Sequence, residues 1–169
     1  MYKDEFSEDA ITVKFFNKVS KISDLANAAP IIGAGGPISI TGIDGEGKVT
    51  PTFKVSPNKT YSVLIEREGH LPFVILNFPV GNAPIDLRTV PFNLLPGDIN
   101  GDGVVNFQDL VLLFAAWGKT PGNNPGDANP RAKMTSGGGA VNGDDLAILI
   151  GSYAKGTTQF KLPNEFLNN

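Results

Sequence analysis

Asp98-Ile-Asn-Gly-Asp-Gly-Val-Val-Asn-Phe-Gln-Asp109 decides how the rest of the chain is read. As a twelve-residue loop it puts oxygen-bearing side chains at positions 1, 3, 5, 9 and 12, namely Asp98, Asn100, Asp102, Asn106 and Asp109, with Gly103 at position 6. Calcium takes about six to eight oxygens, which a loop supplies by turning alternate side chains inward, bending at a glycine and adding the position 7 carbonyl, here that of Val104. A plain Asn/Gly/Asp turn between two strands is the competing reading. It leaves unexplained the apolar run Leu110-Val-Leu-Leu-Phe-Ala-Ala-Trp117, which begins where the loop ends. On the entry side, the proline and glycine of Asn93-Leu-Leu-Pro-Gly97 oppose a helix, so only an exit helix is expected.

The unit recurs. Val105, Asn106, Asp109, Leu110, Leu113 and Trp117 match Val141, Asn142, Asp145, Leu146, Leu149 and Tyr153, each 36 residues on (105 to 141). An internal repeat of loop plus helix is strong evidence of architecture. The second loop departs from the first. Asp127 and Asn129 supply positions 1 and 3, Ala140 the position 7 carbonyl, and Asn142 and Asp145 positions 9 and 12, but Asn129 and Asn142 are 13 apart where Asn100 and Asn106 are 6 apart. No aspartate fills position 5. An inserted carbonyl, a hydroxyl of Thr135 or Ser136, or a water takes that place, or the site binds weakly or not at all, because ligand charge is one control of affinity.

Every residue from Leu110 to Trp117 is apolar, whereas a helix on a small domain normally buries a single stripe. Leu110, Leu113 and Trp117 are spaced to pack on Leu146, Leu149 and Tyr153. Phe107, Val111, Phe114 and Ala115 are then left facing outward, where they would mark a protein interface, or covered by the first half of the chain.

That first half reads as all-β. Strands are expected at Ala10–Phe16, Ile38–Ile43, Lys48–Val55, Thr60–Glu66 and Phe73–Phe78, with a weaker one at Ile85–Phe92, separated by turn signals about every ten residues. Pro51 demotes part of its strand to an edge or bulge. Val19, Ile22 and Leu25 are spaced for one face of a short helix, with a loop as the alternative. This pattern suits a small antiparallel sandwich. Glu66, Glu68 and His70 cluster beside a turn without a nucleophile at motif spacing, so no catalytic activity is expected there.

A half EF-hand with Asp at position 12, in two tandem copies, resembles the dockerin family, the calcium-dependent modules by which cellulosomal proteins dock onto cohesins. A β-sandwich of carboxypeptidase-regulatory-like or immunoglobulin-like type lying directly before a type II dockerin is called an X module, and residues 1–95, with Gly47-Lys-Val-Thr50 and Tyr61-Ser-Val-Leu-Ile65, are similar to one. The resemblance implies a mixed fold, with an X module at 1–95 and an α-helical dockerin at 96–169, and two bound calcium ions. It also implies a non-catalytic role: anchoring the parent protein to a cohesin of a scaffoldin or cell-surface anchoring protein, in polysaccharide degradation. Family positions 10, 11, 17 and 18 contact cohesin; counted here they are Phe107, Gln108, Phe114 and Ala115, then Gly143, Asp144, Ile150 and Gly151, with Val111 added by its outward spacing. The chain lacks the Ser/Thr and basic pairs of type I, and its apolar choices look like type II. The two sets differ, so one helix, the first, is expected to dominate binding. The competing functional reading is a carbohydrate-binding or calcium-stabilised surface module with the sandwich as its working part. The first half, however, has no Trp and only scattered Phe and Tyr for stacking on sugars.

Composition agrees. The 169 residues allow one or two small domains, and 41% apolar residues is ordinary for a soluble globular protein. A net charge of -3 disfavours nucleic acid. Without cysteine there are neither disulfides nor thiolate sites, and one histidine cannot hold zinc alone. No run of 18 apolar residues occurs, so no membrane insertion is expected. Met1-Tyr-Lys-Asp-Glu-Phe6 lacks the apolar stretch of a signal peptide. The start therefore reads as a fragment boundary, and a secreted, extracellular location follows from the resemblance. The tail after Gly156, with Phe160, Leu162 and Phe166, is expected to fold back or fray.

Overall fold

Alternating side chains in Ile11-Thr-Val-Lys-Phe-Phe-Asn17 suit a pleated, buried strand, and the computed structural model forms one there, β1 (Ile11–Asn17). Residues 11–31, 38–40, 55–82, 93–122, 128–135 and 139–160 are described. They fall into two compact units. One comprises Ala10–Glu66, Phe73–Asn93 and the chain from Thr158; the other holds Arg67–Pro72 and Leu94–Thr157.

In the first unit β1 pairs antiparallel with β2 (Ile38–Ile40) and β3 (Lys59–Glu66), and β3 pairs antiparallel with β4 (Phe73–Val80). The C-terminal segment adds β5 (Thr158–Phe160) parallel to β4, Phe73 lying opposite Thr158. The order is β2-β1-β3-β4-β5. A register shift between Tyr61 and Val63 marks a bulge. Among the described residues there is one sheet. The expected strands at 48–54 and 85–92, which would contribute to a sandwich, lie outside the described residues.

Both faces of the central strands are buried. Phe15 meets Tyr61 and Phe78 edge to face, with ring centroids 6.1 and 6.0 Å apart. On the other face Phe16, Val74 and Leu76 pack with Leu25, which belongs to a 3-10 turn, Ile22–Asn27, in the segment where a short helix or a loop was open. Ser62, fully buried, ties this segment down: its hydroxyl donates to the Leu76 carbonyl (2.8 Å) and accepts the Val19 N–H (3.0 Å).

The second unit holds α1 (Phe107–Ala115) and α2 (Gly143–Ser152). Asn106 and Asn142 cap them, accepting N–H bonds from Gln108 (2.7 Å) and Asp144 (2.8 Å). Such caps contribute about 1 kcal/mol each. Val105, Leu113 and Ala116 share one core with Val141 and Leu149, and Ser152, at the position equivalent to Ala116, is also buried. Within this unit the two loop–helix repeats clasp reciprocally. Ala154 N–H donates to the Val105 carbonyl and Val105 N–H to that of Lys155; Gly118 N–H donates to the Val141 carbonyl and Val141 N–H to that of Lys119. Each set maps onto the other by the same 36-residue offset (118 to 154).

Two features of this unit were not expected. Trp117 and Tyr153 do not close the seam between the helices; they are 42% and 41% exposed. The reason is that α1 ends at Ala115, so helical periodicity no longer sets the direction of residue 117. Leu71, from the segment joining β3 to β4, belongs to this core, with its N–H bonded to the Leu95 carbonyl (2.7 Å). No helix of the described residues is long and apolar enough to cross a membrane.

Candidate functional site

The Asp98–Asp109 loop is wound around two buried carboxylates. Asp98 is 2% exposed and Asp109 fully buried. Asp98 Oδ1 accepts the N–H groups of Gly101 (2.9 Å) and Asp102 (3.1 Å), and Oδ2 that of Gly103 (3.0 Å). Asp109 Oδ1 accepts those of Ile99 (2.8 Å) and Asn100 (3.1 Å), and Oδ2 that of Asn106 (2.8 Å). A carboxylate offers about four lone-pair sites, so each keeps one. Gly103 sits at φ +83°, the left-handed turn that position 6 requires, and a Cβ there would lie 2.8 Å from Thr157 Oγ1.

The exposed members of the set are turned to one another. Asn100 Nδ2 donates to Asp102 Oδ2 (2.8 Å) and to Gln108 Oε1 (3.1 Å), while Asn100 Oδ1 accepts the Asp102 N–H (3.0 Å). Asp102 Oδ1 accepts the Val104 N–H (2.9 Å). As they stand, no three acidic or histidine side chains converge on a common point among the described residues. Burial, together with the charges of Asp109 and Asp102, pushes the Asp98 carboxyl above its ordinary pKa, against the opposing N–H bonds from Gly103 and Gly101. Two carboxylates, Asp98 and Asp109, are thus buried in one loop.

The second loop is arranged differently. Asp145, fully buried, accepts from Met134 N–H (2.8 Å), Thr135 N–H (2.9 Å) and the Thr135 hydroxyl (2.9 Å) on Oδ1, and from Asn142 N–H (3.0 Å) on Oδ2. Met134 and Thr135 thus stand to Asp145 as Ile99 and Asn100 stand to Asp109. The residue before Ile99 is Asp98; the one before Met134 is Lys133. Its ammonium lies 3.1 Å from Asp145 Oδ2 and also donates to Thr135 Oγ1, with the Lys133 side chain only 10% exposed. Burial works against the Asp145 carboxylate, but the N–H bonds from Asn142, Thr135 and Met134 and the Thr135 hydroxyl outweigh it and hold its pKa below the ordinary value.

Of the second candidate set, the structure brings Asn142 and Asp145 together at the start of α2. Asn129 is exposed and caps the 3-10 turn Pro130–Ala132, accepting the Arg131 N–H at 3.0 Å. Ala140 is half-buried, and Asp127 lies outside the described residues. Lys133 was missed by sequence reasoning, which looked for oxygens. The available signal was its place 12 residues before Asp145, one more than separates Asp98 from Asp109.

The outward face of the helices is apolar. Phe107 is 65% exposed, Phe114 52%, Val111 48% and Ile150 55%; Gln108, Ala115, Gly143, Asp144 and Gly151 are exposed as well. Phe114 and Trp117 stack at a tilt, with centroids 5.6 Å apart, extending the patch on α1. The acidic and histidine cluster is spent otherwise: Glu66 pairs with Lys14, Glu68 with Arg131 Nε at 2.8 Å, and His70 Nδ1 lies 2.9 Å from the Glu68 carbonyl oxygen.

A strand-rich unit and a unit that holds two loop–helix elements define a mixed, two-part class of chain. No protein-family model matches it, and no curated protein does. Among solved structures, a chain in the crystal structure of a type II cohesin-X-dockerin complex from Acetivibrio cellulolyticus, a C-terminal interface mutant, is similar in fold. Its TM-score is 0.52 at 20% identity, over 88% of this chain and 83% of that one. An N-terminal interface mutant of the type II complex from the same organism gives 0.51 at 22% identity over the same shares.

Proposed function

We propose that this chain is an X module-dockerin pair that docks its parent protein, without catalysis, onto a type II-like cohesin outside the cell. The observation that carries this is the apolar face of α1, with Phe107, Val111 and Phe114 about half exposed or more, on a chain whose fold resembles type II X-dockerin complexes. Contiguous apolar surface of this kind favours a protein partner. α1 dominates the contact, because Phe107 and Gln108 have Gly143 and Asp144 as counterparts on α2.

Calcium suits the first loop. Asp98, Asn100, Asp102, the Val104 carbonyl, Asn106 and Asp109 would hold it. The donors are hard oxygens, the turn at Gly103 is the one such a loop needs, and the charge gathered around Asp98 favours a cation. Asn100 and Asp102 are exposed and able to reorient. The bound ion would offset two of the three carboxylate charges and rigidify the entry to α1.

Among the described residues the carbohydrate-binding alternative gains no support, since Phe15, Tyr61 and Phe78 are buried rather than displayed as a platform. Titrating type I and type II cohesins against the chain, with calcium and with EGTA, tests the proposal. Calcium-dependent binding to type II members supports it; binding to none of the panel refutes it.

A further inference from the structure

We propose that the second loop takes no divalent cation, because the Lys133 ammonium serves there as its built-in counter-ion; the inference rests on the reading of the first loop as a calcium loop and of the second as its repeat. The carboxylate at the end of each loop fixes the register. Asp109 collects the N–H groups of Ile99 and Asn100, and Asp145 those of Met134 and Thr135. In this register the first loop begins with a buried aspartate and the second with a largely buried lysine.

The charge at the equivalent position is therefore reversed. An ammonium 3.1 Å from Asp145 Oδ2 lies where a cation coordinated by that carboxylate would be repelled at close range, and the repulsion is weakly screened in a buried site. Thr135 completes the arrangement, its hydroxyl accepting from Lys133 and donating to Asp145. Asp145 thus accepts four hydrogen bonds besides the lysine contact, against about four lone-pair sites, and nothing is left for a metal. Of the donors expected from sequence, Asn129 is exposed and its side-chain oxygen caps the 3-10 turn Pro130–Ala132 through the Arg131 N–H.

The ion stoichiometry is then one rather than two. Isothermal titration of the calcium-stripped full chain should give a single site, lost in Asp98→Asn. Two sites, one lost and one kept in Asp98→Asn, overturn the inference while leaving the first-loop reading intact; a single site that survives Asp98→Asn overturns both. No binding at all would sink the calcium reading of the first loop yet agree with a metal-free second one.

The role of Lys133 has its own readout in hydrogen exchange at saturating calcium. Breaking a buried ion pair in Lys133→Met should speed exchange of the Met134 and Thr135 amides on the order of a hundredfold, with those of Ile99 and Asn100 unchanged. Unchanged Met134 and Thr135 amides overturn the assignment of Lys133. If Lys133→Met does not fold, the titration of the unaltered chain decides.

Discussion

Replacing Phe114 with aspartate should separate docking from folding. Phe114 is 52% exposed, so of the roughly 200 Å² that a buried phenylalanine removes from water, about half is left for a partner to cover. At about 25 cal/mol per Å², that area is worth about 2.5 kcal/mol, or about sixtyfold in affinity. A carboxylate forced into the same contact adds its own desolvation, so Phe114→Asp should weaken cohesin binding by more than this. Leu113, the neighbouring residue, is fully buried in the core shared by the two helices, and Leu113→Ala should cost about 2 to 5 kcal/mol of stability. The two variants belong in one experiment: calorimetric titration with a type II cohesin in calcium, and urea unfolding of each chain. A Phe114→Asp chain that binds within threefold of the parent, or that unfolds as readily as Leu113→Ala, would refute the assignment of this face to a partner.

Three further outcomes follow from the loops. Gly103→Ala forces a Cβ into a φ of +83° and to within 2.8 Å of Thr157 Oγ1; it should destabilise the loop by about 1 to 2 kcal/mol and weaken calcium about tenfold or more, read by calorimetry, and unaltered affinity would contradict the turn argument. Chelation with EGTA should lower the helical circular dichroism signal, restored by calcium, because ligation and folding of the loop–helix unit are linked; an unchanged signal counts against metal-dependent order. In saturating calcium, carboxyl NMR titration should place Asp145 below 3.8. Its contribution to stability is then present above 3.8 and lost as pH falls through its folded value. A midpoint above 3.8 would contradict the hydrogen-bonding pattern described for the second loop.

Much of the loop–helix unit was determined by the sequence alone. Caps, turn glycines and the 36-residue repeat are local or periodic, so Asn106, Gly103, Asp109 and Leu113, with the counterparts of three of them at Asn142, Asp145 and Leu149, could be placed before any coordinates. The strands β1, β3 and β4 were legible for the same reason, as apolar runs punctuated by turns. What tertiary structure decided depends on contacts between residues distant in sequence. The parallel pairing of Thr158–Phe160 with β4 and the place of Leu71 in the core around Leu113 and Leu149 carry no local signature. Nor does the direction of Trp117, once α1 has stopped at Ala115. The charge at the mouth of the second loop is the sharpest case: counting oxygens along the chain looks for a metal, whereas the fold brings the Lys133 ammonium to the buried carboxylate of Asp145, and only the register set by backbone N–H groups reveals that a lysine stands where the first loop has Asp98.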